Sequence, residues 1–203
     1  MLHFVRSTWW MKAFFPSLTW EKPNSEKAIY LTFDDGPHPE ITPWVMNQLE
    51  EVNAQASFFV IGENVERYPD TFQKLVQSKH SVGNHSYKHL SGWQNSKQAY
   101  LEDVNRCGNL YPFKLFRPPY GKIRWSQAKA LNKRYEIIMW DRITYDFDET
   151  ISPEQCFKNA VEDISSGSII VFHDSEKAEK NLRATLPPVL QHLKKQGFEL
   201  KAL

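Results

Sequence analysis

From Ala28 onward, short apolar runs alternate with longer stretches whose apolar positions recur every three or four residues. The runs predict strands over 28–33, 55–61, 81–84, 113–117, 136–141, 168–173 and 198–202. Between them the periodicity predicts helices over 42–53, 64–79, 96–109, 125–133, 153–165 and 177–196. Local signals mark several boundaries. Thr42-Pro43 has the form of an N-cap followed by proline at the first helical position. Ser152-Pro153-Glu154-Gln155 reads as a capping box ahead of an apolar face made by Cys156, Phe157, Ala160, Val161 and Ile164. Gly167 and Gly197 suit helix exits, and Pro187-Pro188 is expected to break the helix it interrupts.

Strict strand–helix alternation implies a mostly parallel sheet covered by helices, either an open layer or a barrel. Both architectures carry their sites at the carboxyl ends of strands. Polar residues recur there: Asp34 and Asp35 end the first run, His85 follows the third, Arg117 ends the fourth, Asp141 the fifth and His173 the sixth.

Composition narrows the classes. The 203 residues are 41% apolar, enough for a core, and no repeat or linker divides residues 27–203, read as one domain. With 25 Lys and Arg against 24 Asp and Glu, the net charge of +1 gives no reason to expect a nucleic-acid partner. Seven Trp and 14% aromatics suggest either a heavy core or flat stacking surfaces for sugars. Cys107 and Cys156 stand in no metal or redox spacing and read as free buried thiols. Residues 1–26 form a separate aromatic-rich segment, with Trp9, Trp10, Phe14, Phe15 and Trp20 expected to pack over the domain. Association of those rings with a membrane surface is the alternative. Arg6 and Lys12 interrupt every apolar run there, so neither a signal peptide nor a transmembrane helix is expected, and the expected location is cytoplasmic or at the cytoplasmic face of the membrane.

Three segments carry candidate chemistry. Thr32-Phe33-Asp34-Asp35-Gly36-Pro37 sets two adjacent carboxylates where a core strand turns, a costly placement unless a cation or donors offset them. In Asn84-His85-Ser86-Tyr87-Lys88-His89, two imidazoles four residues apart would face the same way on one helical turn. Two imidazoles and a carboxylate with open positions describe a catalytic zinc site, or one for another divalent metal tolerating nitrogen and oxygen ligands. Phe116-Arg117-Pro118-Pro119-Tyr120-Gly121 is a stiff loop able to hold Arg117 against a carboxylate and aim a backbone amide at an oxyanion. The strand Ser168 to His173 ends in an imidazole suited to proton transfer.

In this order the motifs resemble the polysaccharide deacetylase (NodB-homology) family, carbohydrate esterase family 4, over nearly the whole domain. The resemblance implies a distorted (β/α) barrel with about seven parallel strands. It implies that Asp35, His85 and His89 bind a divalent metal, usually zinc, with cobalt or nickel as alternatives. Asp34 would be the general base, His173 the general acid, Arg117 the residue orienting Asp34, and the Tyr120 backbone amide a donor to the oxyanion. The implied reaction is removal of N-acetyl groups from amino sugars in oligo- or polysaccharides, with peptidoglycan or chitin-like N-acetylglucosamine as first substrates. Ester deacetylation of an O-acetylated polysaccharide is the alternative within the family, and a non-catalytic carbohydrate-binding protein is the alternative outside enzymes.

One motif departs from the family. Asp-x-x-Asp-Trp is usual after the fifth strand, its first Asp supporting the catalytic His, whereas here Asp141-Arg142-Ile143-Thr144-Tyr145-Asp146-Phe147 puts Ile143 at that position. Asp141, at the strand end, is the expected replacement, and Asp146 the other candidate.

Overall fold

The computed structural model describes residues 5–23 and 26–203; residues 1–4 and 24–25 of the N-terminal segment lie outside the described residues. The strands are β1 (Ala28–Asp34), β2 (Ser57–Val60), β3 (Ser81–Asn84), β4 (Leu115–Phe116), β5 (Glu136–Ile137), β6 (Arg142–Ile143), β7 (Ile169–His173) and β8 (Glu199–Leu200). The helices are α1 (Trp9–Phe14), α2 (Ile41–Glu51), α3 (Gly62–Arg67), α4 (Pro69–Val76), α5 (Lys97–Gly108), α6 (Trp125–Leu131), α7 (Pro153–Val161) and α8 (Glu179–Lys195). Seven strands run in the order β5-β4-β3-β2-β1-β7-β6, with β8 added to β1. Every ladder between them is parallel, giving the curled (β/α) sheet expected from the alternation.

Each face of this sheet has its own apolar layer. Phe33 of β1 is in register with Phe58 of β2 and Phe172 of β7, and the three rings stack at centroid distances of 5.0 and 5.8 Å beneath the helices. On the opposite, inner face Tyr30, Phe59, Leu115, Ile138 and Ile169 make a small buried cluster. Period-two alternation continues that inner face upward along β1 through Thr32 to Asp34, so the inner cluster is the floor under the carboxyl end. Gly83 makes room for it, since a Cβ there would stand 2.5 Å from the Phe59 ring. Complete burial of Phe33, Phe58 and Phe172 contributes about 1.5–3 kcal/mol each.

Of the strand expected over 136–141 only Glu136–Ile137 forms, as β5; β6 follows at Arg142–Ile143, at the opposite end of the sheet. Between them the chain crosses the open side: Ile138 N–H donates to the Phe116 carbonyl of β4 and Asp141 N–H to the Ile169 carbonyl of β7. The N-terminal segment lies along this crossing. Thr19 N–H donates to Ile137, Met139 N–H to Thr19 and Ile143 N–H to Val5, so backbone groups that an open edge would leave unpaired are bonded.

Other boundaries differ for local reasons. The helix expected over 64–79 divides at Tyr68 (φ −127°, ψ 58°), because Pro69 disfavours helical backbone in the residue before it. Thr42 is not an N-cap; it sits inside α2, its hydroxyl accepting from His38 N–H and donating to Asp174. Ser152 caps α7 by accepting from Gln155 N–H, while the Gln155 side chain turns to Asn159. Pro187 and Pro188 do not break α8, which runs on to Lys195. The buried face of Leu182, Leu186, Val189, Leu190 and Leu193 holds the helix together despite the missing amide donors. Cys107 and Cys156 are free and buried, as expected.

Candidate active site

Asp34 and His173 are register partners at the ends of the adjacent parallel strands β1 and β7, and Asp174 N–H donates to the Asp34 carbonyl at 3.0 Å. Register partners leave a sheet on the same face, so both side chains enter the space above the inner cluster. Asp35, next in sequence, would ordinarily point the other way. Its backbone is left-handed (φ 79°), which turns its carboxylate back toward the same pocket, and Asn64 holds the turned carbonyl at 2.8 Å.

The next loop brings in two imidazoles. His85 and His89 lie on an irregular segment after β3 rather than on the expected helical turn. Ser86 (φ 64°) and His89 (φ 56°) are left-handed, and the half-turn so made is held by the Asp103 carboxylate of α5, which accepts from Tyr87 N–H at 3.0 Å and Lys88 N–H at 3.1 Å. The rings end 4.9 Å apart. His85 Nε2 is 3.7 Å and His89 Nε2 3.3 Å from Asp35 Oδ1.

Four features fit this trio to a divalent cation. Asp35 Oδ1 is buried and has no hydrogen-bond partner. His85 Nδ1 faces the Arg117 carbonyl at 2.8 Å; a carbonyl only accepts, so Nδ1 carries the proton and Nε2 presents its lone pair toward Asp35. Burial pushes the pKa of His85 well down, with the neighbouring His89 adding to the effect, and burial likewise lowers that of His89 against the attraction of Asp35. Neutral imidazoles are the ligand form. One ligand atom from each residue lies within 4.8 Å of the others.

Arg117 enters from β4 and is completely buried. Its Nη1 donates to Asp34 Oδ1 and to the Thr32 hydroxyl, each at 2.7 Å, while Nε reaches the Ile138 carbonyl at 3.3 Å and Nη2 the Met139 carbonyl at 3.0 Å. Its guanidinium lies 4.2 Å from the Phe59 ring centre. Burial lowers its pKa, and Asp34 opposes that shift. With Oδ1 so held, Asp34 Oδ2 stands 4.0 Å from His85 Nε2, on the side of the candidate metal ligands. Tyr120, in the loop that follows, has a left-handed backbone (φ 59°) and sets its ring 4.5 Å from that of His89.

The residue supporting His173 is not Asp141. The Asp141 carboxylate accepts from Ser168 Oγ at 2.9 Å and Arg6 Nε at 3.4 Å, because the crossing segment turns it away from the pocket toward the N-terminal segment. Asp146 takes the place: Oδ1 is 2.8 Å from His173 Nδ1 and Oδ2 accepts from His173 N–H at 2.8 Å. Burial presses the His173 pKa down, but the attraction of Asp146, helped by Asp35 and Asp34, outweighs it and raises the value to about 9. Phe147 stands edge-on to the imidazole at 4.7 Å.

Two supporting carboxylates, Asp103 and Asp174, carry no signal in the sequence that marks them out. Asp174 accepts from Gly36 N–H at 3.1 Å and from the Thr42 hydroxyl at 2.5 Å, fixing the turn after Asp35, and burial pushes its pKa up to about 8. A Cβ at position 36 would overlap Asp174 Oδ2 at 2.2 Å, so only glycine fits.

Comparison with known proteins gives a consistent picture. Residues 21–136 match the family described as polysaccharide deacetylase. A peptidoglycan-N-acetylglucosamine deacetylase of Bacillus cereus is 35% identical over 89% of this chain and 88% of its own length. A chitooligosaccharide deacetylase of Azorhizobium caulinodans is 31% identical over 88% of this chain and 94% of its own. The crystal structure of the Bc1960 peptidoglycan N-acetylglucosamine deacetylase, in complex with 4-naphthalen-1-yl-N-oxidanyl-benzamide, superposes with a TM-score of 0.87 at 26% identity, covering 97% of this chain and 95% of that one.

Proposed function

This chain belongs to the polysaccharide deacetylase family, and from that premise we propose that it hydrolyses the N-acetyl groups of amino sugars in oligo- or polysaccharides such as peptidoglycan or chitin-like N-acetylglucosamine. The observation that carries the reading is the buried, partnerless Asp35 Oδ1 facing two imidazole nitrogens beside a second carboxylate, Asp34, tied to Arg117 instead. Two adjacent carboxylates thereby take separate tasks.

Asp35, His85 and His89 would hold the cation, and a nitrogen–oxygen donor set of this kind suits zinc, with cobalt or nickel as alternatives. Bound there, the cation would supply a Lewis acid that polarises the acetamide carbonyl and lowers the pKa of water. Asp34, oriented by Arg117, accepts the proton of the attacking water as its oxygen bonds to the carbonyl carbon. The Tyr120 backbone amide donates to the oxyanion that develops. As the C–N bond breaks, His173 passes its proton to the departing amine, and the products are acetate and a free amino sugar. Asp146 keeps His173 charged and, by holding Nδ1, orients the ring so that the proton on Nε2 is the one available for transfer. A histidine protonated near neutral pH can give the amine leaving group the proton it needs to depart.

The test is acetate release from N-acetylglucosamine oligomers after loading with zinc or cobalt. Asp34→Asn is expected to abolish release while the metal stays bound. Absence of acetate from a panel of metal-loaded reactions on amino-sugar substrates would overturn the reading, and faster release from O-acetylated xylan would move it to the ester alternative.

A further inference from the structure

Beside the candidate metal ligands runs a groove of about 390 Å³, its lining including Trp10 and Phe14 of α1, Trp93, Tyr120 and Trp140. Among the described residues its lining is aromatic and aliphatic apart from Lys122, whose ammonium lies 5.7 Å from the ring centres of both Trp93 and Tyr120. The walls are open to solvent: Trp10 is 47% exposed, Phe14 64%, Trp93 57% and Tyr120 60%. Four large rings left wet around one concavity are unusual for a surface that binds nothing.

The occupant can be argued from two relationships. Sugar hydroxyls would lose their hydrogen bonds to water here and find almost no polar partners in return, so the groove suits hydrocarbon rather than glycan. Tyr120 belongs to both places: its ring centre lies 4.5 Å from that of His89, the planes tilted by 58°, and the same residue lines the groove. The groove therefore adjoins the candidate metal ligands through Tyr120. We propose that it receives the hydrocarbon portion of an amphiphilic substrate, a lipid-linked N-acetylated amino sugar whose acetamide meets Asp34 and His173 while its chain lies between α1 and Trp93. This rests on the deacetylase reading and names the substrate class within it.

The experiment compares the N-acetylglucosamine tetramer with its octyl glycoside, below the concentration at which the latter forms micelles, on the zinc-loaded enzyme. The octyl glycoside is expected to show a KM lower by about tenfold or more, since several methylenes leave water. Phe14→Ser and Trp93→Ala, both at exposed positions that leave the core intact, are each expected to bring the ratio of the two KM values toward one. Equal KM values for the two substrates on the wild-type enzyme, with acetate released from both, would overturn the inference and leave the deacetylase reading standing. An octyl advantage that survives both substitutions would also overturn it, as would binding to phosphatidylglycerol vesicles through Phe14 with no octyl advantage, which would assign the groove to a bilayer. Release from neither substrate would instead sink the deacetylase reading itself.

Discussion

Asp146 grips His173 at two points, Oδ1 at 2.8 Å from the ring Nδ1 and Oδ2 accepting the backbone N–H at the same distance. One carboxylate thus sets both the position of the residue and the charge of its ring, raising the pKa from 6.5 to about 9 against the effect of burial.

Asp146→Asn keeps an acceptor for only one of the two His173 donors and removes the charge, so the ring pKa falls. If activity needs protonated His173, the alkaline limb of the kcat profile moves to lower pH, and kcat near pH 8 drops by about 10- to 100-fold. Stability carries the same signature. Because the folded pKa is raised, the contribution of the pair is fully present below pH 6.5 and is lost as pH rises through about 9. Urea melts across that window are expected to show the loss in the wild type and a flatter profile in the variant. Asp141→Asn serves as the contrast, its carboxylate being turned to Ser168, and should leave the alkaline limb in place. Identical limbs in wild type and Asp146→Asn would refute the assignment.

Asp103 shapes the candidate metal site at one remove. Its carboxylate holds the Tyr87 and Lys88 amides and through them the left-handed turn that aims His89. Asp103→Ala leaves both amides without this acceptor, for a loss of about 1–3 kcal/mol in stability. Zinc affinity, measured by competition with a chromogenic chelator, is expected to weaken by about 10- to 100-fold, as for other groups that orient ligands from behind. Unchanged affinity would mean that the loop holds its shape alone.

The contrast between Asp141 and Asp146 also marks where sequence ceases to inform. Strand ends were legible because β–α alternation places Asp34, Arg117 and His173 at the same rim, whatever the exact strand lengths. Asp141 was misplaced because its apolar run reads as one strand, whereas the chain leaves β4 after Ile138 and crosses to β7. Nothing in the local pattern announces that crossing; it depends on the N-terminal segment supplying partners from more than a hundred residues away. The same limit applies to His85 and His89. Their spacing suggested a helical turn, yet Ser86 and His89 adopt left-handed backbone because Asp103 stabilises it from another helix. Pro187 and Pro188 show the reverse case, a strong local signal overruled by the buried face of α8.

Arg117 joins the site to the scaffold. Its buried guanidinium spans Asp34, Thr32 and the carbonyls of Ile138 and Met139. Arg117→Met would strand Asp34 as an unpaired buried charge, at a cost of about 3–5 kcal/mol. For a chain of this size that corresponds to a fall in Tm on the order of 10 °C. Arg117→Lys retains a charge but cannot reproduce the fork of contacts, so acetate release should fall even where the melt is partly restored. A variant with wild-type Tm would show that the ion pair contributes nothing to the fold.

The N-terminal segment supplies a last contrast. Trp20 is buried at 6% exposure and its indole N–H donates to the Phe15 carbonyl at 3.2 Å, whereas Trp9 is 80% exposed. If the segment is part of the domain's core, Trp20→Ala opens a cavity beside the crossing strand and costs about 3–5 kcal/mol. Trp9→Ala should stay within about 0.5 kcal/mol of wild type, since it removes no buried contact. Chemical denaturation of the two variants reads both values directly. Equal and small effects would mean that the segment rests on the domain without stabilising it, while a large effect of Trp20→Ala alone would make it structural along the edge it covers.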